Sequence, residues 1–209
     1  MRIGIDLDNT IIKYDKLFHD VALSKKLVGS LSLVNKRVIR DEIRLLHGDE
    51  EWQKLQVEVY GNSVGQAELM TGVYDFLLSL KRAGHSFQIV SHKTQYPNYG
   101  NSNVDLRKKA LFFLSENGFF SENGLSMSTK DVFFLSTRSE KVKKISELNH
   151  SIFIDDLEEV FSDPDFPNGV TKILFSPEDA DCFVPDVTVF SSFEKIGEHV
   201  FKGIDHGAV

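Results

Sequence analysis

The chain has 209 residues, of which 41% are hydrophobic and 26% are charged, and its formal net charge is −7. This composition is that of a globular domain, and the acidic balance argues against general affinity for nucleic acids. A single cysteine, Cys182, excludes an intrachain disulfide and predicts a reducing, cytoplasmic environment. The chain begins directly with strand-like residues and contains no apolar run of about 20 residues, so we expect neither a signal peptide nor a membrane span.

The first predicted strand, residues 2–7, carries acidic side chains at its carboxyl end. Asp6 and Asp8 follow the apolar start of the strand, and Thr10 comes next. Carboxylates are costly to bury, so their position at the end of a buried strand indicates a function rather than packing. The structural alternative is a surface turn in which aspartate and asparagine bind their own backbone.

Residues 14–70, here called the helical insertion, interrupt the expected alternation of strands and helices because no strand is evident there. Apolar residues at helical spacing predict three helices, over residues 18–22, 34–46 and 52–60. We expect Val34, Val38 and the pair Leu45–Leu46 to form the buried stripe of the second helix. Trp52, in the third helix, is expected to lie in the core.

Four further apolar segments predict parallel strands after the helical insertion. They cover residues 87–90, 132–135, 152–154 and 172–175. They do not alternate cleanly between apolar and polar residues, which is typical of central strands covered on both faces. Helical patterns lie between most of them, at residues 73–80, 106–114 and 142–148, with Ser139 as the expected N-cap of the last. The sequence therefore predicts an α/β domain with a three-layer, doubly wound parallel sheet.

Polar residues follow several of these strands, where open parallel sheets bind their ligands. Ser91 follows the second predicted strand, and Asp155 and Asp156 follow the fourth. Clustered carboxylates repel one another unless a cation lies among them, and their oxygen atoms suit Mg²⁺. A serine hydroxyl and a lysine would bind phosphate oxygens, and an aspartate can attack phosphorus. The pattern therefore predicts phosphoryl-transfer chemistry that depends on Mg²⁺.

The run Asp6-Leu7-Asp8-Asn9-Thr10 resembles the first signature motif of the haloacid dehalogenase (HAD) superfamily, Asp-x-Asp-x-Thr after an apolar strand. Ser91 resembles the second signature, Lys141 the third, and Asp155-Asp156 the acidic fourth, in the expected order. The helical insertion resembles the small type-one cap of the superfamily. The predicted domains are therefore a core of residues 1–13 and 71–209 and a cap of residues 14–70.

The resemblance implies roles for the four aspartates. Asp6 would be the nucleophile and a Mg²⁺ ligand. Asp8 would be the general acid and base, with its backbone carbonyl on the metal ion, and an acid at this position resembles the phosphatase and phosphotransferase branch. Asp155 and Asp156 would complete the Mg²⁺ site, with either one as the direct ligand.

The resemblance also implies phosphate-binding residues. Ser91 and Lys141 would bind the phosphoryl group, and Thr10 would support the geometry of the first motif beside it. His92 and Lys93 are candidate substrate contacts by their position after the second strand. Further substrate candidates by position are Tyr14, His19, Tyr96 and Tyr99. The lysines that compete with Lys141 for the third signature are Lys130, Lys143 and Lys144.

The implied activity is hydrolysis of a phosphate monoester through an aspartyl-phosphate, with Mg²⁺ as the cofactor. The partner would be a small phosphorylated metabolite, such as a sugar phosphate or a nucleotide, rather than a nucleic-acid polymer or a membrane. A phosphotransferase or mutase of the same superfamily and a catalytically idle HAD-like binding domain remain alternatives. A receiver-type signalling domain uses similar residues, but its paired acids and its phospho-acceptor come in the opposite order along the chain. The oligomeric state stays open.

Overall fold

Six parallel strands form the central sheet of the protein. The computed structural model describes residues 1–30, 32–99, 103–178 and 181–205. The strands, numbered along the chain, are β1 (Arg2–Ile5), β4 (Ser86–His92), β5 (Val132–Leu135), β6 (Ile152–Asp155), β7 (Thr171–Phe175) and β8 (Val187–Phe190). Their order across the sheet is β5-β4-β1-β6-β7-β8, and every neighbouring pair is parallel. The predicted doubly wound α/β sheet is confirmed.

Helices cover both faces of this sheet. They are α4 (Val73–Arg82), α5 (Leu106–Glu116), α6 (Arg138–Glu147), α7 (Glu158–Phe161) and α8 (Phe193–Asp205), with a 3₁₀ turn at Thr129–Asp131. Successive residues of β6 belong to different apolar clusters, because neighbouring strand residues point to opposite faces. Phe153 packs with Val142 and Ile145 of α6, whereas Ile154 packs in the cluster that contains Phe113 of α5. The result is the three-layer arrangement that the sequence predicts.

Gly4 lets two large side chains pack against the middle of the sheet. A Cβ atom at this position would lie 2.4 Å from the Phe153 ring and 2.7 Å from Nδ1 of His150. Both side chains are buried beside β1. Any larger residue at position 4 would therefore displace them, which explains a glycine inside a central strand.

Two features of the C-terminal half differ from the prediction. Strand β8 and helix α8 are additional, and β8 gives a weak signal because Thr188 interrupts its apolar run; β5, predicted as a central strand, forms the other edge of the sheet, and all four of its residues are partly exposed. The N-cap of α6 is Thr137 rather than Ser139. The Thr137 hydroxyl accepts a hydrogen bond from the Glu140 N–H at 3.2 Å, and the Glu140 carboxylate accepts one from the Thr137 N–H at 3.2 Å. This capping box starts the helix at Arg138, one turn before Lys141.

The helical insertion leaves the core through a short antiparallel pair of strands, β2 (Ile12–Lys13) and β3 (Glu68–Leu69). Strand β3 corrects the expectation of no strand in this segment, and its two residues are too few to give a sequence signal. Between the two strands lie α1 (Asp15–Ser24), α2 (Lys36–His47), α3 (Asp49–Val57), a π-helical turn (Glu58–Asn62) and a 3₁₀ turn (Val64–Gln66). The division into domains at residues 14 and 70 stays a prediction.

The buried face of α2 is not the predicted one. Ile39 and Ile43 pack inward, whereas Val38, Leu45 and Leu46 are exposed. Val34, which precedes the helix, is also exposed. The apolar residues of this helix lie on more than one side, so spacing alone selected the wrong set. Trp52 of α3 is buried as expected and stacks on the Phe18 ring, with 5.0 Å between ring centroids. Among the helices in the described ranges, none has the length and apolar character needed to cross a lipid bilayer.

Candidate active site

The first motif forms a tight turn directly after β1. The backbone N–H groups of Ile11 and Ile12 both donate to the Leu7 carbonyl at 2.9 Å. Asn9 lies at the centre with φ of 60°, a left-handed conformation that asparagine tolerates better than most residues. The turn leaves Asp6 and Asp8 at the carboxyl edge of the sheet, where the sequence predicts them.

Lys141 lies between two of the acidic residues. Its ammonium is 2.5 Å from Oδ1 of Asp6 and 2.6 Å from Oδ2 of Asp155, and all three side chains are buried. Burial raises the pKa of Asp6 and of Asp155, and Lys141 opposes the rise in both. The two carboxylates in turn raise the pKa of Lys141 although burial opposes this. The lysine is therefore the cation that allows these acids to ionise inside the protein.

Asp156 completes an acidic cluster with Asp6 and Asp155. It accepts long hydrogen bonds, each 3.4 Å, from the Asn9 amide and the Thr10 hydroxyl. Burial raises its pKa to about 7, with a further contribution from the neighbouring Asp155 charge. One oxygen atom from each of the three acids lies within 4.8 Å of the others. Three hard oxygen donors at this spacing fit a divalent cation such as Mg²⁺.

Asp8 lies outside this cluster and binds different partners. Its Oδ1 accepts a hydrogen bond from the Tyr14 hydroxyl at 2.9 Å, and its Oδ2 is 2.7 Å from the Lys93 ammonium. Lys93 is only 5% exposed and lies 4.9 Å from the centre of the Tyr60 ring. Lys93, a candidate substrate contact, therefore forms an ion pair with Asp8 instead. The two aspartates of the first motif therefore have different surroundings.

Ser91 ends the buried part of β4, beside β1 in the sheet. Its side chain is buried, and within the described residues its hydroxyl has no hydrogen-bond partner. An unpaired buried hydroxyl is costly unless a ligand or water satisfies it. The next residue, His92, is exposed, and its Nε2 lies 3.1 Å from the Ser136 carbonyl.

The lysines that compete with Lys141 lie elsewhere. Lys130 and Lys143 are exposed, and Lys144 pairs with Glu147 on the surface of α6. Of the further substrate candidates, Tyr14 binds Asp8 and Tyr99 donates to Glu50 of α3 at 2.5 Å. His19 and Tyr96 line neither of the two cavities described next.

Two adjoining cavities lie between the helical insertion and the sheet edge. The first, of about 500 Å³, is lined by Asp8, His92 and Lys93. The second, of about 630 Å³, is lined by Asn9 and Asp156. Arg44 and Gln56 of the insertion line both cavities. Asp8 and Asp156 therefore face the helical insertion across these cavities, whereas Asp6, Ser91, Lys141 and Asp155 line neither cavity.

Two residues that line these cavities, Tyr60 and Lys36, were not predicted as part of the site from the sequence. The Lys36 ammonium lies 5.5 Å from the Phe18 and Tyr60 ring centres, and the Lys93 ammonium lies near the same Tyr60 ring. Tyr60 and the more distant acids raise the pKa of Lys36 although burial opposes the rise. These contacts depend on how the insertion packs on the core, for which no local sequence signal exists.

Several solved structures share this architecture over nearly the whole chain. A HAD family hydrolase from Deinococcus radiodurans R1 with bound phosphate and sodium has a TM-score of 0.62 at 12% identity, over 96% of this chain and 95% of that chain. A HAD-superfamily hydrolase from Ehrlichia chaffeensis has a TM-score of 0.55 at 15% identity, over 97% of both chains. This chain has the HAD fold. The chain is also similar in structure to a phosphoserine phosphohydrolase-like protein from Francisella tularensis, with a TM-score of 0.51 at 13% identity over 95% of this chain and 98% of that chain.

The HAD fold accounts for the convergence of the four motif positions. Asp6 follows β1, Ser91 and Asp155 lie in the last two residues of the neighbouring strands β4 and β6, and Lys141 reaches the same edge from α6. No protein-family model matches the chain, and no curated protein matches its sequence. The structural comparison therefore supports the fold of the chain, and the evidence for its chemistry lies in the residues of the candidate site.

Proposed function

We propose that the protein is a Mg²⁺-dependent phosphate-monoester hydrolase that acts through an aspartyl-phosphate on Asp6. The observation that carries this proposal is the buried group of Asp6, Lys141 and Asp155 at the sheet edge that also holds the unpaired Ser91 hydroxyl. A tetrahedral phosphoryl group would supply the acceptor that Ser91 lacks and the negative charge that complements Lys141. The Deinococcus radiodurans structure with bound phosphate adds support from the same fold.

In the first half of the proposed reaction, a carboxylate oxygen of Asp6 attacks phosphorus in line with the ester oxygen. The bond between phosphorus and the ester oxygen breaks as the acyl-phosphate bond forms. Asp8 donates a proton to the departing alcohol oxygen. Ser91 and Lys141 hold the phosphoryl oxygens, so the protein contributes mainly position and charge.

In the second half, Asp8 removes a proton from a water molecule that attacks the phosphorus atom. Inorganic phosphate leaves, and the Asp6 carboxylate is restored. Tyr14 and Lys93 hold the Asp8 carboxylate through both steps. Asp8 is a carboxylate after it has given its proton to the alcohol, and because it is held in place it can accept the proton of the attacking water, which restores its starting state.

Asp6, Asp155 and Asp156 would hold the Mg²⁺ ion, together with the backbone carbonyl of Asp8. When bound, the ion would neutralise charge on the phosphoryl oxygens. Burial raises the pKa of all three acids, as expected for ligands whose stable ionisation needs a cation. Thr10 and Asn9 orient Asp156 in this set.

The proposal includes the surroundings of the reaction. Residues 14–70 act as a cap on the core formed by residues 1–13 and 71–209, and they limit the access of bulk water to the site. The partner is a small phosphorylated metabolite, not a nucleic-acid polymer or a membrane. A cytoplasmic location rests on the single cysteine.

The test is hydrolysis of 4-nitrophenyl phosphate by the wild type and by the Asp6→Asn variant, with and without a chelator. We expect Asp6→Asn to abolish turnover while its circular dichroism stays unchanged, and chelation to stop the wild type. The exposed change Asp75→Asn is the matched control and should retain activity. Turnover by Asp6→Asn at the wild-type rate would rule out Asp6 as the nucleophile. Reaction in ¹⁸O-labelled water separates hydrolysis, which labels the phosphate, from transfer to another acceptor.

A further inference from the structure

Helix α2 presents a row of basic side chains to the second cavity. Lys36, Arg40 and Arg44 are spaced by four residues, so they lie on one side of the helix over about 12 Å. All three line the second cavity, as does Arg37. This concentration of positive charge stands out in a chain whose net charge is −7.

The acidic residues on the wall of this cavity are held by neutral donors. Asp15 accepts a hydrogen bond from the backbone N–H of Lys36 at 2.8 Å, and Glu178 accepts one from the Asn35 side chain. Neither carboxylate forms an ion pair within the described residues. The Lys36 ammonium instead lies over two aromatic rings. Asp156, the third acidic residue of the wall, helps to raise the pKa of Lys36, so the four basic and three acidic side chains leave a formal excess of one positive charge, on the arginine side of the cavity.

The ion pairs that the arginines do form lie on the surface. Arg40 contacts Asp41 at 2.8 Å, and Arg44 contacts Asp49 at 2.6 Å, with both aspartate side chains at least half exposed. Exposed pairs of this kind contribute about 0 to 1 kcal/mol. An anionic ligand in the cavity can therefore displace them at little cost.

The second cavity reaches the acidic cluster at Asp156, which has a carboxylate oxygen within 4.8 Å of one of Asp6. Asn9 and Asp156 line it at the sheet edge, and Arg44 and Gln56 connect it to the first cavity that contains Asp8. A ligand whose phosphoryl group lies at Asp6 can therefore extend its remainder along the basic row. An uncharged remainder would leave Arg40 and Arg44 with only their exposed partners on the helix surface, whereas an anionic remainder would add a complementary charge inside the cavity.

We propose that the second cavity binds a second anionic group of the substrate. The substrate is then a small phosphate monoester that carries a further phosphate or carboxylate group. This inference rests on the proposed function, because it takes the scissile phosphoryl group to lie at Asp6. Arg40 and Arg44 are the residues that select for the second charge.

The experiment measures binding rather than turnover. The Asp6→Asn protein with Mg²⁺ is titrated calorimetrically with two matched pairs of probes. Fructose 1,6-bisphosphate and fructose 1-phosphate differ by a phosphate, and 3-phosphoglycerate and glycerol 3-phosphate differ by a carboxylate. We expect the probe with the second anion to bind about tenfold more tightly in at least one pair, and the pair that responds identifies the anion. Added salt should reduce this preference.

The same titrations are repeated with Arg40→Gln, Arg44→Gln and the matched control Arg82→Gln, an exposed arginine of α4 outside both cavities. We expect each of the first two changes to remove most of the preference and the control to retain it. Equal binding within both pairs, no measurable binding of any probe, or a preference that survives both changes would overturn the inference. If the wild type hydrolyses no phosphate monoester, the proposed function fails, and the binding comparison still decides the subsite.

Discussion

At the scale of single residues, Lys141 is the group on which the buried acids depend. It contacts Asp6 and Asp155 while only 2% exposed, in the first turns of a helix started by the Thr137 capping box. A buried carboxylate that loses its cation either remains charged at high cost or takes up a proton. The chemistry and the stability of this site therefore both depend on one side chain.

We expect Lys141→Met to lower the free energy of unfolding by about 3 kcal/mol at pH 8 without divalent cations. The loss should be smaller at pH 5. Without Lys141 the pKa values of Asp6 and Asp155 in the folded variant are higher than in the wild type, so both acids take up protons at pH 5 and no longer repel each other. Urea unfolding at the two pH values measures this. The exposed neighbour Lys143→Met serves as the control and should change stability little. An equal loss at both pH values would contradict this account of the acids.

His150 gives a second pH-dependent prediction, away from the acids. It is 3% exposed, its Nε2 lies 3.2 Å from the Gln88 side-chain oxygen, and its Nδ1 has no partner within the described residues. Burial lowers its pKa to about 4, with a smaller contribution from Arg2. Between pH 6.5 and pH 4 the unfolded chain therefore binds a proton that the folded protein does not bind.

The wild type should accordingly lose up to about 3 kcal/mol of stability relative to His150→Gln as the pH falls from 7 to 4. Urea unfolding of the wild type and of His150→Gln across this range gives the difference between their free energies of unfolding. The pH dependence that comes from the acidic residues is the same in both proteins and cancels in this difference. His47→Gln, a change at an exposed histidine, should follow the wild type. A difference that does not vary with pH would show that His150 has the same pKa in the folded protein and in the unfolded chain, and would contradict this prediction.

At the scale of elements, the helical insertion packs through aromatic side chains. Phe18 of α1 stacks on Trp52 of α3 and meets the Tyr60 ring edge to face at 5.5 Å. These rings belong to the same apolar cluster as Ile3 of β1 and Phe113 of α5. The insertion and the sheet are therefore joined by one continuous core.

We expect Phe18→Ala to lower the free energy of unfolding by about 3 to 4 kcal/mol, because it leaves a cavity in this core. Leu45→Ala, on the exposed side of α2, should change it by no more than about 0.5 kcal/mol. Trp52 is the single tryptophan, so its fluorescence reports on the insertion while circular dichroism reports on the whole chain. Coincident transitions are expected. Fluorescence that changes at lower urea than circular dichroism would contradict the shared core.

At the scale of the whole molecule, the sheet could be predicted because its central strands are buried on both faces. Strands β1, β4, β6 and β7 appear in the sequence as apolar segments, and so does the edge strand β5, whose four residues are all apolar, whereas β8, interrupted by Thr188, and the two-residue β3 carry too little signal. The acids were predictable because the ends of parallel strands meet at one edge.

The remainder of the site could not be predicted from the sequence. The contact of Lys93 with Asp8 and the position of Lys36 over Tyr60 join segments far apart in the chain, and the Tyr14 contact with Asp8 depends on the turn of the first motif. The buried face of α2 was predicted wrongly because Val38, Leu45 and Leu46 outnumber the buried pair Ile39 and Ile43. Only the packing of the insertion reveals which side of this helix faces the cleft.

The most direct test of the central claim is to locate the covalent intermediate. The wild type is mixed with 4-nitrophenyl phosphate and Mg²⁺, quenched in acid within the steady state, and digested with trypsin for mass spectrometry. We predict a phosphoryl group on the peptide of residues 3–13, and borohydride reduction of the acyl phosphate should convert Asp6, and not Asp8, to homoserine. Steady turnover with no label on this peptide, or with the label on another residue, would contradict the account.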